Sequence, residues 1–175
     1  MIIMKMIKVV QGDITKMKVD AIVNAANTTL RGGGGVDGAI HRAAGPELDI
    51  ACARFHGCNT GEARITPGFR LPARYVIHTP GPVWHGGNHG ESSLLHNSYF
   101  NSLQLAEQNQ CETVAFPSIS TGVYSYPLDA AAQVALTTIK DFLQTSKSVQ
   151  TVFMVCFDSQ TLAAYQQAYQ QLGIQ

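Results

Sequence analysis

Charge is scarce in this sequence. Asp, Glu, Lys and Arg together make up 14% of the 175 residues, against roughly a quarter in an average soluble domain. Apolar residues reach 45%, so a disordered chain, which is charge-rich and apolar-poor, is excluded. Neither sign is in surplus, with 12 Lys and Arg against 12 Asp and Glu. No basic excess is therefore available to draw in a nucleic-acid backbone, and nucleic acid is not an expected partner. No apolar run approaches the roughly 18 residues of a membrane span, so no membrane partner is expected either. The apolar start from Met1 to Val10 is broken by Lys5 and Lys8, which does not fit the core of a signal peptide. Cysteine is limited to Cys52, Cys58, Cys111 and Cys156. None of them form a C-x-x-C pair, which excludes the usual redox and zinc motifs. The expectation is a cytoplasmic protein with reduced thiols. The length suits one domain, residues 1–175, and the chain is expected to be a monomer.

Six short segments read as strands: 7–11, 21–24, 64–66, 75–79, 113–117 and 152–157. Several are continuous apolar runs, which fit strands buried on both faces. Helical spacing lies between them. Leu95, Tyr99, Leu103 and Ala106 form one stripe, with Ser92 as the expected N-cap. Leu128, Ala132, Ala135, Ile139 and Phe142 form a second, with Pro127 in the first turn and Asp129 near the positive end of the dipole. Leu162, Tyr165, Tyr169 and Leu172 form a third, between Ser159 and Gly173. Two more helices are expected from near Val36 to Ala44 and over 47–55. Alternation of strand and helix predicts an α/β fold, with a buried sheet and helices on both faces. The Gly-rich segment 85–90 reads as a mobile loop.

Four consecutive glycines, Gly32 to Gly35, precede an expected helix N-terminus. Ordering them is entropically costly, and the position makes sense where an anion meets free amides and a helix dipole. The letters Gly33-x-Gly35-x-x-Gly38 match a dinucleotide fingerprint, but eight residues intervene after Asn24 and no acid follows about 20 residues on. A P-loop is excluded because no Gly-Lys-Ser/Thr follows. A second small-residue loop, Ser118 to Pro127, joins a strand to a helix. Two such loops at strand ends imply one crevice, and together they suit a diphosphate.

Asp37 and His41 are four apart and share a face at the start of the first helix. Asp37 has two readings of equal weight: a carboxylate favoured by the helix dipole, or one that positions or deprotonates a water. His41 by itself reads as an ordinary helix histidine. Asn24 and Asn27, at the end of the preceding strand, can bind sugar hydroxyls as donor or acceptor. His85, His89 and His96 lack the partners of a zinc site, no Ser-His-Asp set is present, and Cys156 reads as inert core.

In order along the chain stand Gly12-Asp13-Ile14-Thr15, Val23-Asn24-Ala25-Ala26-Asn27, Thr60-Gly61-Glu62-Ala63, Val76-Ile77-His78-Thr79 and Ser120-Thr121-Gly122-Val123-Tyr124, with the segment Gly33 to His41 among them. With these motifs the sequence resembles the macrodomain family, and within it the MacroD-type ADP-ribosyl hydrolases, from about Ile7 to Leu172. The resemblance implies a three-layer α/β/α fold with a mixed, mostly parallel six-stranded sheet. It implies ADP-ribose and ADP-ribosylated small molecules or proteins as ligands. Asp13 and Ile14 would hold adenine, with Phe157 packed against it. Gly33, Gly34, Gly35 and Val36, together with Ser120, Thr121, Gly122, Val123 and Tyr124, would hold the diphosphate. Asn24, Asn27, Asp37 and His41 would surround the scissile end. The implied reaction is hydrolysis of an ester between ADP-ribose and a carboxylate, on modified Asp or Glu side chains or on O-acetyl-ADP-ribose, with no cofactor and no metal. The Gln-Glu-Glu signature of poly(ADP-ribose) glycohydrolases is absent. The segment Gly45 to Asp49 departs from the family in leading into a slightly short helix.

Overall fold

The computed structural model describes residues 4–174. Its strands are β1 (Met6–Gln11), β2 (Ala21–Ala26), β3 (Arg64–Pro67), β4 (Tyr75–Pro80), β5 (Thr113–Phe116) and β6 (Thr151–Cys156). Its helices are α1 (Gly35–Ala44), α2 (Pro46–Ala53), α3 (Glu91–Gln108), α4 (Leu128–Thr145) and α5 (Ser159–Gln171), with a 3-10 turn at Ile14–Lys16. The strands form one sheet in the order β1-β6-β5-β2-β4-β3. Every pairing is parallel except β3 with β4. This is the expected three-layer α/β/α arrangement with a mixed, mostly parallel sheet.

Period two sorts the strand residues between two cores. Ala21 and Val23 of β2 join Ile77, Val114 and Val152 beneath α3, α4 and α5. Ile22, between them, joins Val76, Ala115 and Val155 beneath α1 and α2. Both faces of the central strands are thus buried, which is why they read as unbroken apolar runs. The stripe Leu95, Tyr99, Leu103 and Ala106 is fully buried. Each large side chain of this kind contributes roughly 1.5–3 kcal/mol on burial.

Strand limits agree with the sequence reading to within two residues, but the caps differ. The N-cap of α3 is Gly90 in the left-handed region, not Ser92. Helix α5 is capped by Asp158, whose carboxylate accepts from the Thr161 N–H, and Ser159 is already helical. Pro127 lies one residue outside α4, at its N-cap. Segment 85–90, read as mobile, is tied down. The buried Glu91 carboxylate accepts from the N–H groups of His85, Gly87 and His89 at 2.8, 2.9 and 2.7 Å. No helix among the described residues is long and apolar enough to cross a membrane.

Candidate active site

Five parallel strands run the same way, so the loops after β1, β2, β4, β5 and β6 share one edge of the sheet. From β2 the chain leaves by α1 and α2 toward β3 and β4. It then returns by α3 to β5 on the other side of β2. The carboxyl end of the sheet beside β2 and β5 is therefore a topological switch point, the place where open α/β sheets hold ligands.

The loop after β2 is organised by Asn27 and Leu30. The Asn27 Oδ1 accepts from Thr29 Oγ1 at 2.6 Å and from the Leu30 N–H at 3.1 Å, while Nδ2 donates to the Gly32 carbonyl at 2.8 Å. One Asn27 amide hydrogen is left over for another partner. Leu30 takes a left-handed φ of 60° and buries its side chain in the core below. The glycines that follow enter α1, whose N-cap Gly34 has no side-chain cap. A Cβ at Gly34 or at Gly122 would meet nothing within 4 Å beyond its chain neighbours. Both positions thus present bare backbone to open space. Gly38 differs, because a Cβ there would come within 2.5 Å of the Gly33 carbonyl. Its absence lets the loop lie directly on the helix.

Asp37 is 5% exposed. Its Oδ1 accepts from Asn24 Nδ2 at 2.8 Å and lies 3.4 Å from His41 Nε2. The carboxylate does not cap α1; it faces β2 and His41. Burial raises its proton affinity, and the Asn24 bond and then His41 act the other way. Asn24 is fully buried and spends its second N–H on His78 Nδ1 at 3.2 Å. Its Oδ1 and the His41 Nε2 are buried without a hydrogen-bond partner. Native proteins seldom leave such atoms unpaired, and both are free to receive a water or a ligand group.

The loop after β5 carries Ser120 in the left-handed region, at φ 69°, with its Oγ also buried and unpartnered. The Tyr126 N–H closes the loop on the Ser120 carbonyl at 2.9 Å. Trp84, in the loop after β4, donates its N–H to the Tyr124 carbonyl at 2.8 Å and packs its ring on Tyr126. Val123, 96% exposed, stands at the tip. At the far end of the crevice, Asp13 Oδ1 accepts from the Thr15 Oγ1 and N–H, which lowers its pKa and keeps it ionised. The Gly12 N–H joins that turn to the Cys156 carbonyl at 3.0 Å. Phe157 follows directly after β6, 87% exposed, while Ile14 is buried beneath.

The residues expected to bind or react, Asp13, Ile14, Asn24, Asn27, Gly33 to Asp37, Ser120 to Tyr124 and Phe157, thus lie on loops or element ends at the carboxyl end of the sheet, with His41 one turn further along α1. His78 stands in the sequence only within a motif and is given no role there, because a histidine inside a strand reads as core; its ring meets Asn24. Ser120's strained backbone and Glu91's hold on the neighbouring loop left no local signal either. Among the described residues no group of three His, Cys, Asp or Glu side chains could hold a metal ion. Cys156 is buried and its thiol is pushed up to about 11, so it stays protonated.

The family model described as Macro domain matches residues 23–135. A Macro domain-containing protein of Lactiplantibacillus plantarum is 70% identical over 89% of this chain and 91% of its own length. A Citrobacter rodentium protein named O-acetyl-ADP-ribose deacetylase is 55% identical over 97% of this chain and 98% of its own. Among solved structures, an Oceanobacillus iheyensis macrodomain variant with ADPR (ADP-ribose) superposes with a TM-score of 0.89. It is 46% identical, covering 94% of this chain and 91% of that one.

Proposed function

The chain belongs to the macro domain family, and we propose that its crevice binds ADP-ribose and hydrolyses the ester joining it to a carboxylate, with residues 1–175 acting as one domain. Relatives at 52–55% identity bear the name O-acetyl-ADP-ribose deacetylase, which supports a hydrolase. The observation that carries the reading is the buried Asp37 carboxylate, bonded to Asn24 and set at the start of the helix that follows bare glycine backbone.

The diphosphate lies between the amides around Gly34, Gly35 and Val36 and the loop Ser120 to Tyr124. Amides at a helix N-terminus favour such an anion. Adenine rests between Asp13 and Phe157. The distal ribose reaches Asn24, whose free Oδ1 accepts from a hydroxyl. Asp37 then holds a water by hydrogen bond and aims it at the ester, with His41 beside it. Asn27 shapes the glycine loop and offers its one remaining N–H. Water adds across the ester, giving ADP-ribose and the free acid, which is acetate or a protein Asp or Glu side chain.

The test pairs calorimetric titration of ADP-ribose with two turnover assays. One follows acetate release from O-acetyl-ADP-ribose, and the other follows release of ADP-ribose from a glutamyl-modified protein. Binding with turnover of both substrates is expected. Binding without turnover would make the protein a reader only, and no binding would remove the reading altogether.

A further inference from the structure

His78 of β4 is fully buried, and its two ring nitrogens meet Asn24 Nδ2 and Thr66 Oγ1. Thr66 Oγ1 donates to the Pro67 carbonyl at 3.0 Å, so its lone pairs are left to receive the His78 Nε2–H, also at 3.0 Å. This arrangement assigns the hydrogen to Nε2 and leaves Nδ1 as the acceptor facing Asn24. Asn24 has two amide hydrogens. One goes to Asp37 and the other to His78. Turning the amide over would set its oxygen against a carboxylate on one side and a ring lone pair on the other. Two hydrogen bonds would become two repulsions.

We propose that His78 is a positioning residue for sugar recognition: it locks the Asn24 amide with Oδ1 toward the crevice, so that this point of the site takes only a hydrogen-bond donor such as a ribose hydroxyl. The inference rests on the proposal that the distal ribose reaches Asn24. Burial drives the His78 pKa down to about 3, which keeps Nδ1 unprotonated. The groups facing the ring fit that state. The Cys52 thiol, 3.6 Å from Nε2 and 3.9 Å from Nδ1, is pushed up to about 12 and stays neutral. The His41 ring lies 6.4 Å away, centroid to centroid.

ADP lacks the distal ribose, so comparing ADP with ADP-ribose isolates this contact. Affinities for both are measured by calorimetry in His78→Leu, His78→Gln and Asn24→Ala, beside circular dichroism. His78→Leu is expected to weaken ADP-ribose about tenfold, the size of one neutral hydrogen bond, with ADP within about twofold on the same scale. His78→Gln can accept from Asn24 and donate to Thr66, and it should recover most of that loss. An equal loss of both ligands, or an unchanged ratio, in His78→Leu would overturn the inference. An unchanged ratio in Asn24→Ala would instead remove the ribose assignment beneath it. A reading that needs no variant comes from ring ¹⁵N spectra of the parent protein. They should show His78 protonated on Nε2 alone, and a proton on Nδ1 would refute the locking.

Discussion

A carboxylate as enclosed as Asp37 ionises against the pull of burial, which raises its pKa above the ordinary value. The sign of its effect on stability follows from that direction. The folded state binds this proton more tightly than the unfolded one. The contribution is therefore favourable at low pH and is lost as pH rises from the unfolded value through the folded one. At neutral pH the charge is a net burden on the fold. Asp37→Asn keeps an oxygen for Asn24 and removes the burden, so its melting temperature at pH 7 should equal or exceed the parent's. Turnover should fall about 10²- to 10⁴-fold, with ADP-ribose affinity within a few fold. Melting, titration and rate on that one variant check the claim, and near-normal turnover would return Asp37 to a structural role. The pairing of Asp37 with His41 was legible from a four-residue spacing. The link from Asn24 to His78 spans 54 residues and depends on strand register, which no local pattern reveals.

The elements that frame the crevice were read with uneven success, for a physical reason. The loops after β2 and β5 act through backbone, so glycine and small residues betray them. The loop after β4 acts through Glu91, a single carboxylate at the head of α3 that gathers three amides, and no spacing rule marks it. Caps were also misjudged. Asp158 and Ser159 are both good cap formers, and the choice falls to the residue whose backbone steps out of the helix. The bare face at Gly122 supplies the element-scale prediction. Its φ is not in the left-handed region and a Cβ there meets nothing within 4 Å beyond its chain neighbours, so Gly122→Glu needs no change of backbone. It places a carboxylate where the diphosphate would lie. Loss of ADP-ribose binding with an unchanged far-ultraviolet spectrum is expected. Retained binding would separate this loop from the ligand.

Across the whole molecule, two carboxylates of opposite tendency to Asp37 tie distant backbone together. Glu91 gathers the loop after β4, and Glu107 takes the N–H groups of Lys147, Ser148 and Val149 at the far end of the sheet. Those bonds depress both pKa values, that of Glu91 from 4.5 to about 2. Their stabilisation is therefore complete above the unfolded value and is lost as pH falls through the folded one. Glu91→Gln should be less stable than the parent at pH 7, and the gap should close as pH drops from 4.5 toward about 2. Urea unfolding at stepped pH measures it, and a constant gap would mean that the charge is not what the amides hold. The α/β class and all six strands were visible from apolar runs and helical stripes. Strand order was not, because it is decided by crossovers between segments far apart in sequence.

Strand β1 has a single neighbour, β6, paired residue for residue from Met6 with Thr151 to Gln11 with Cys156. During synthesis β6 emerges on the order of ten seconds after β1 at ordinary translation rates, because the rest of the sheet is encoded between them. Until then β1 has no partner, since β6 stands between it and β5. The Asp13 turn and Phe157 flank that seam, so the end of the site proposed for adenine takes shape only when segments far apart in the chain come into register, whereas the Asn24–Asp37 contact joins residues 13 apart.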